Sequence, residues 1–352
     1  MPMKVIMVGH DFDFSAGDGI SRYSSEIYKG VREKAEVRTI SVGGLPRSLR
    51  ILRVIKARDA DIVHLMYPDV AKVSIGRSRM VIMWHDNRVF SKYSEGSQHR
   101  SAPKLAERFG IAKWIIRKWT TGNYIKSSAI ICNSSQTLDE LREHFRAEGL
   151  YDPRKIYRII PLAIGDAFLK GRVWRGERRD FGYVGSIHLK HKNLRGLLSA
   201  FSKVAKRGDA RLHVFTSSPN AAAILNAEIS RFAGLSSENV VLHYRESDAE
   251  VMKYLPKLVA YVHLSREEGL GLPILEAIAA GTNAVVLRNA KIPAEVKRHA
   301  IRVQEGRVAD ELIRLMASPS PAPAGAVAYA RGFTWKRIVD ETIKVYKEVL
   351  AK

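Results

Sequence analysis

Apolar positions along the chain fall into short, continuous, β-branched runs separated by stretches with helical spacing. The first run, Lys4–Gly9, is followed by a helical pattern from about Gly19 to Glu33. Strands are then expected at Val37–Val42, Ile62–Met66, Met80–Trp84, Ala129–Cys132 and Ile156–Pro161. Runs that are apolar throughout, rather than alternating, belong to strands covered on both faces, and interleaved helices make the sheet parallel. From Gly165 to Asp180 the period vanishes and Arg and Gly crowd in, the composition of a linker. The pattern then restarts, with strands expected at Phe181–Val184, Arg211–Phe215, Val240–Tyr244, Leu258–Leu264 and Ala284–Leu287. Helices are expected near Asn193–Lys206, Ala221–Phe232, Asp248–Leu255, Pro273–Ala280 and Ala309–Met316. Ser318–Ala324 is a proline-punctuated loop, and a closing helix runs from about Thr334 to Leu350. The fold class this predicts is α/β: two Rossmann-like parallel-sheet domains with a cleft between them. Their bounds are residues 1–165 and 181–330, with a linker at 166–180 and a terminal helix at 331–352.

A length of 352 residues is ordinary for two such domains, and 46% hydrophobic with 27% charged residues excludes a chain that is mainly disordered. Cys132 is the only cysteine, so an intrachain disulfide or cysteine zinc site is excluded. With no apolar leader after Met1 and no membrane-length apolar run, a cytoplasmic protein is expected. Charge changes the picture more. Lysine and arginine number 58 against 36 acidic residues, a net of +22. Such a field favours phosphorylated substrates, anionic lipid surfaces or nucleic acid, without choosing among them.

The densest candidate chemistry is SREEGLGLPILEAIAAG, residues 265–281. A buried strand ends at Leu264, a glycine-bearing loop follows, and Pro273 and Gly281 sit where a helix starts and stops. Gly269 and Gly271 let backbone amides of the Gly269-Leu270-Gly271-Leu272 loop approach a bound group, and the helix N-terminus favours phosphate. Glu268 and Glu276 can each take paired ligand hydroxyls. The bland alternative is that Glu276, in the first helical turn, complements the helix dipole while Glu268 is solvated.

This segment resembles the signature of retaining, nucleotide-sugar-dependent glycosyltransferases of GT-B architecture, family 4. The resemblance implies that Glu268 lies by the donor sugar, that Glu276 holds the nucleotide ribose, and that amides of Gly269 to Leu272 contact sugar and diphosphate. It extends nearly end to end. FGYVGSIHLKHKNL, residues 181–194, is similar to the entry of the family's nucleotide domain, where Lys192 would pair with the donor diphosphate. Many relatives carry arginine where this chain has Ser186, so Lys190 or His191 is a candidate second cation. Tyr244 and Arg245, after an expected strand, mark where a nucleobase would be read. GDGISRY, residues 17–23, resembles the glycine-rich first loop; Asp18, between Gly17 and Gly19, replaces the commoner glycine and could meet an acceptor hydroxyl. VIMWHD, residues 81–86, resembles the strand whose histidine, here His85, lies beside the donor sugar; taken alone, a histidine at a strand end is as readily structural. IICNSSQT at 130–137, IIPLA at 159–163, and Thr334-Trp335 with Tyr346 match the remaining elements, the last being a helix that crosses back to the first domain.

Asp11-Phe-Asp13 and Asp59-Ala-Asp61 both spell Asp-x-Asp, a metal motif of a different glycosyltransferase fold, but each flanks a strand of this one. They are read as loop residues, and neither a metal nor another cofactor is expected. Two basic stretches with apolar backing, 47–58 and 88–126, are surface helices or a docking face for anionic membrane; the latter interleaves Phe90, Phe109, Trp114 and Trp119. The function expected is transfer of a hexose, mannose or glucose, from a UDP- or GDP-sugar to a hydroxyl of a lipid-linked, glycan or small-molecule acceptor. An epimerase on the same fold and a non-catalytic basic surface binder are the alternatives; nucleic acid is disfavoured because no recognised module is present.

Overall fold

The structure is a computed structural model that describes residues 2–9, 12–13, 19–42, 54–57, 59–86 and 106–352, with side chains of the 106–126 helix described from Trp114 onward. The chain forms two units: Met1–Leu162 with Trp335–Lys352, and Ala163–Thr334.

The first unit is built on a six-stranded parallel sheet of β1 (Lys4–Gly9), β2 (Glu36–Ser41), β4 (Ile62–Leu65), β6 (Arg79–Trp84), β7 (Ala129–Cys132) and β8 (Ile156–Ile159), in the order β2-β1-β4-β6-β7-β8. Central strands are buried along their length because helices cover both faces. Those helices are α1 (Gly19–Val31), α2 (Ala106–Lys126) and α3 (Ser135–Ala147). Ser134 caps α3 by accepting from Thr137 N, which satisfies an amide the helix cannot pair internally. Tyr124 of α2 stacks on Phe145 of α3 with centroids 3.4 Å apart, and Trp84 meets Phe145 edge-on at 6.0 Å. The final helix of the chain, Trp335–Ala351, belongs to this unit and packs on α1. There His64, at the heart of the sheet, shares a 2.6 Å hydrogen bond between Nδ1 and the Tyr346 hydroxyl.

A small parallel pair lies beside this sheet, β3 (Val54–Lys56) with β5 (Lys72–Ser74). It corrects part of the expectation for residues 47–58: Val54–Lys56 is strand, not helix, with Ile55 buried between exposed neighbours. Residues 47–53 and 87–105, and so Phe90, lie outside the described part, as does the Phe109 side chain.

The second unit carries β9 (Phe181–Val184), β10 (Leu212–Thr216), β11 (Val240–Tyr244), β12 (Ala260–His263), β13 (Ala284–Leu287) and β14 (Ile301–Val303), all parallel, in the order β11-β10-β9-β12-β13-β14. This is the doubly wound order in which the chain switches direction between its first and fourth strands, here β9 and β12. Loops leaving the carboxyl ends of those two strands diverge to opposite faces and open a crevice for ligand. The longer covering helices are α5 (Leu194–Ala205), α6 (Ala221–Ile229), α8 (Leu272–Ala279), α10 (Val308–Ala317) and α11 (Ala324–Arg331), with α7 (Asp248–Tyr254) and the one-turn α9 (Ala294–Lys297) between. The terminal Trp335–Ala351 helix is therefore α12.

Two expectations change here. The stretch 165–180 is not a free linker but part of the second unit: Asp166–Lys170 forms a short helix, α4, that packs against α7 and α8. Within the same stretch Arg178 is buried, donating to the carbonyls of Leu258 at 2.8 Å, Trp174 at 3.1 Å and Gly281 at 3.2 Å. The proline-rich loop ends at Pro323, and α11 follows it and packs on α8.

Candidate active site

Everything that converges at the β9/β12 crevice is local to the second unit. After β9 the chain passes Ser186, whose carbonyl accepts from Tyr183 Oη at 2.9 Å, and reaches a 3₁₀ turn at Lys190–Lys192. Asn193 takes a left-handed conformation, φ 56°, and its side chain caps α5 by accepting from Gly196 N. After β12 the loop of residues 265–271 is pinned by backbone bonds on two sides. Arg266 N donates to His191 O, Glu268 N to Lys291 O, and Lys291 N to Arg266 O, each at 2.8 Å. The loop that leaves β12 is thereby tied both to the turn that leaves β9 and to the segment that follows β13.

These bonds place Glu268 at the centre. Lys192 Nζ donates to Glu268 Oε1 at 2.7 Å, and His263 Nε2 lies 2.7 Å from the same oxygen. His263 is held from behind by the Tyr261 hydroxyl, 2.8 Å from Nδ1 and itself 3.1 Å from Val184 O. Burial alone would raise the Glu268 carboxyl, but the charge and hydrogen bond of His263, then those of Lys192, outweigh it and hold the group well below the usual carboxylate range. Glu268 is thus an ionised, acceptor-only group.

Glu276 is buried and sits one residue into the second turn of α8, not in the first, so it is not an N-terminal dipole partner. Gly271 precedes α8 at φ 85°, and Pro273 occupies its first turn. Leu270 is buried, while Gly269 and Leu272 are partly exposed along the same crevice loop.

Other candidates lie elsewhere. Tyr244 ends β11, the edge strand, with β10 between it and β9; it is 45% exposed, and Arg245 lies over its ring at 5.3 Å. His85 is in the first unit, buried, with Nε2 donating to Met66 O at 2.9 Å and Tyr23 edge-on at 5.1 Å. Gly17 and Asp18 lie outside the described residues, and Gly19 opens α1. Asp11 is also outside, while Asp61 serves the fold: its carboxylate accepts from Lys4 N at 2.8 Å at the start of β1. Among the described residues no cluster of three His, Cys, Asp or Glu side chains could hold a metal.

Sequence reasoning missed His263 and Tyr261. A signal was present: a histidine inside an otherwise apolar buried strand, two residues from a tyrosine and thus on the same face.

The pair of doubly wound units matches solved GT-B glycosyltransferases. Sucrose-phosphate synthase from Thermosynechococcus elongatus superposes with a TM-score of 0.70 at 13% identity, covering 99% of each chain. A UDP-forming trehalose-phosphate synthase from Burkholderia xenovorans, solved with glucose-6-phosphate, gives 0.63 at 11% identity over 98% of this chain and 100% of that one. The pneumococcal O-GlcNAc transferase GtfA, solved with UDP and GlcNAc, gives 0.57 at 15% identity over 83% and 57%. No curated protein sequence matches significantly. The family pattern for Glycosyltransferase Family 4 matches residues 5–162, and that for Glycosyl transferases group 1 matches residues 178–318. The chain belongs to these glycosyltransferases.

Proposed function

We propose that the protein transfers a hexose, mannose or glucose, from a UDP- or GDP-sugar to an acceptor hydroxyl with retention of configuration. The observation that carries this reading is the Lys192–Glu268–His263 cluster at the β9/β12 switch point. Lys192 supplies a compact counter-charge for the departing diphosphate, joined by backbone amides at the start of α8, so the reading needs no metal ion. Glu268 has both of its hydrogen bonds on Oε1, which leaves Oε2 to accept from a sugar hydroxyl. Glu276 is assigned to the ribose; the acceptor is a glycan, a lipid-linked sugar or a small molecule.

The test is turnover with a panel of UDP- and GDP-sugars, with EDTA present, combined with titration of the bare nucleoside diphosphates. Glu268→Ala removes a contact to the group whose charge changes as the bond breaks. It should lower kcat by roughly ten- to a thousandfold, about 1.4–4 kcal/mol, and leave nucleotide affinity near wild type. Glu276→Ala should raise donor KM more than it lowers kcat and weaken nucleotide binding, because ribose contacts change little in the transition state. Normal binding and turnover in both variants would defeat the reading.

A further inference from the structure

We propose that the second unit carries a separate anion site: a basic cavity between α9 and the β13/β14 edge that takes a small, soluble, multiply charged phosphate-bearing molecule. It shares no residue with the Lys192–Glu268–His263 cluster and does not rest on the donor reading.

Strand register brings the first two cations together. Val286 of β13 pairs with Arg302 of β14, which puts both side chains on one face, and Arg288, two residues beyond Val286, falls on that face as well. The ladder reaches that far, because Arg288 N donates to Val303 O at 2.8 Å. The crossover between the two strands adds Lys297, the last residue of α9, and Arg298. With Ala294 and Glu295 these cations line a cavity of about 520 Å³, within the range of small-molecule pockets. Elsewhere in the unit surface arginines are paired: Arg195 with Glu228, Arg266 with Glu305 and Arg314 with Glu311. None of the four cavity cations has an ion pair among the described residues. Lys297 Nζ donates to Ala290 O at 2.6 Å, which leaves two of its hydrogens for a ligand. Partial burial, and then the charge of Arg302, lowers the Lys297 ammonium below its ordinary range, a sign of repulsion within the group. Four cations against one carboxylate leave an excess of three charges among the described lining residues, and a bound anion relieves it. The chemistry of that anion follows. Such an excess calls for more than the single charge of a carboxylate, and two guanidinium forks side by side suit phosphate oxygens. No aromatic face among the lining residues offers itself to a base; Tyr329, which carries Arg298 at 5.2 Å, is itself stacked on His299 at 4.1 Å. None of the large exposed apolar side chains of the described residues lies there, which disfavours a bilayer.

The experiment titrates the full chain with inorganic pyrophosphate by calorimetry, in a Lys192→Ala background that removes the counter-charge of the donor crevice. That variant should still bind pyrophosphate. Adding Arg288→Gln should weaken binding about tenfold, and adding Arg302→Gln as well about a hundredfold, one charge-assisted contact being lost each time. No binding in Lys192→Ala would leave the donor crevice as the only anion site and overturn the proposal, as would unchanged affinity in the arginine variants. Melting curves with Lys192 intact give a second reading. Without anion, Arg288→Gln with Arg302→Gln should melt at or above wild type, since repulsion is removed; with pyrophosphate, wild type should gain more than the variant. A variant that melts lower without anion would show the two arginines to be structural and sink the site. Vesicles of phosphatidate in phosphatidylcholine separate a soluble phosphate from a lipid headgroup. The double arginine variant should sediment with them as wild type does, and a loss there would make the patch a lipid contact and refute the soluble ligand.

Discussion

His64 shows how far a single buried side chain can couple the fold to pH. Full burial, and then the nearby His85, push its imidazole down to about 3. Its Nδ1 bonds to Tyr346, while its Nε2 is buried without a partner among the described residues. A ring of ordinary titration in the unfolded chain, near ~6.5, takes up its proton there long before it does in the fold. The depressed native value therefore contributes stability that is fully present above roughly pH 6.5 and is lost steadily as pH falls toward the native value. The melting temperature of the first unit should fall across that window, and His64→Phe should flatten the fall while losing the bond to Tyr346. An unchanged pH profile in His64→Phe would place the acid sensitivity elsewhere. Glu268 has the same sign, since its carboxyl is also depressed, but its window lies below the ordinary carboxylate range. An acid limb of turnover between pH 5 and 7 would therefore belong to another group. At this scale the site was partly legible: Glu268, Glu276 and Lys192 were named from their motifs, and the structure gathers Glu268 and Lys192 around one ion pair. His263 was not named, because a histidine in an apolar strand looks like core until the turn after β9 is seen to bring Lys192 to the same carboxylate.

Among the elements, the contact of α12 with α1 depends on Gly30. A Cβ added there would overlap Val339, meeting both of its methyl carbons, and a β-branched side chain has little rotamer freedom to retreat. Gly30→Ala gains up to ~1 kcal/mol of helix propensity, but overpacking costs about 1–3 kcal/mol, so the packing term should win. The expected result is a lower melting temperature, restored most of the way by adding Val339→Ala; a Gly30→Ala variant more stable than wild type would show the crossing to be slack. The strands of both sheets, β14 excepted, could be read from sequence because parallel strands covered on both faces leave uninterrupted apolar runs, and Ala129–Cys132, Phe181–Val184, Val240–Tyr244 and Ala284–Leu287 have the expected bounds. What escaped has physical reasons. β3, β5 and β14 are three residues long with one buried position or a buried end, too little for any period to register. α11 opens directly after a proline run and was hidden by it. The stretch 165–180 looked like a linker because an arginine-rich segment is ordinarily solvated, yet Arg178 is accepted by three carbonyls inside the second unit.

For the whole molecule the net charge of +22 is the property least used by the site, since a few cations suffice to meet a diphosphate. Membrane docking is the proposal that gives the remainder a role. Among the described residues no helix is long and apolar enough to cross a bilayer, so any attachment through these helices would be to its surface. The face that best fits is on α2. Trp114 is 60% exposed, Ile125 is exposed on the same helix, and the Lys118 ammonium lies 4.9 Å from the Trp114 ring centroid. An aromatic ring backed by a cation suits the headgroup layer, where the ring enters the interface and the charge meets anionic phosphate. Not every cation of the helix is available, because Arg117 is already paired with Glu148 at 2.6 Å. Each basic residue near an anionic surface contributes about 1 kcal/mol, so reversing Lys118 to glutamate changes the interaction by about 2 kcal/mol, roughly thirtyfold in partitioning. Trp114→Ala with Lys118→Glu should therefore lower co-sedimentation with phosphatidylserine-containing vesicles by at least that factor, while turnover on a soluble acceptor stays near wild type. Wild-type binding should also weaken steeply with salt, as screening shortens from about 10 Å at ~0.1 M to about 3 Å at ~1 M. Equal recovery on neutral and anionic vesicles, or none on either, would refute docking and leave the charge to the phosphorylated substrates alone.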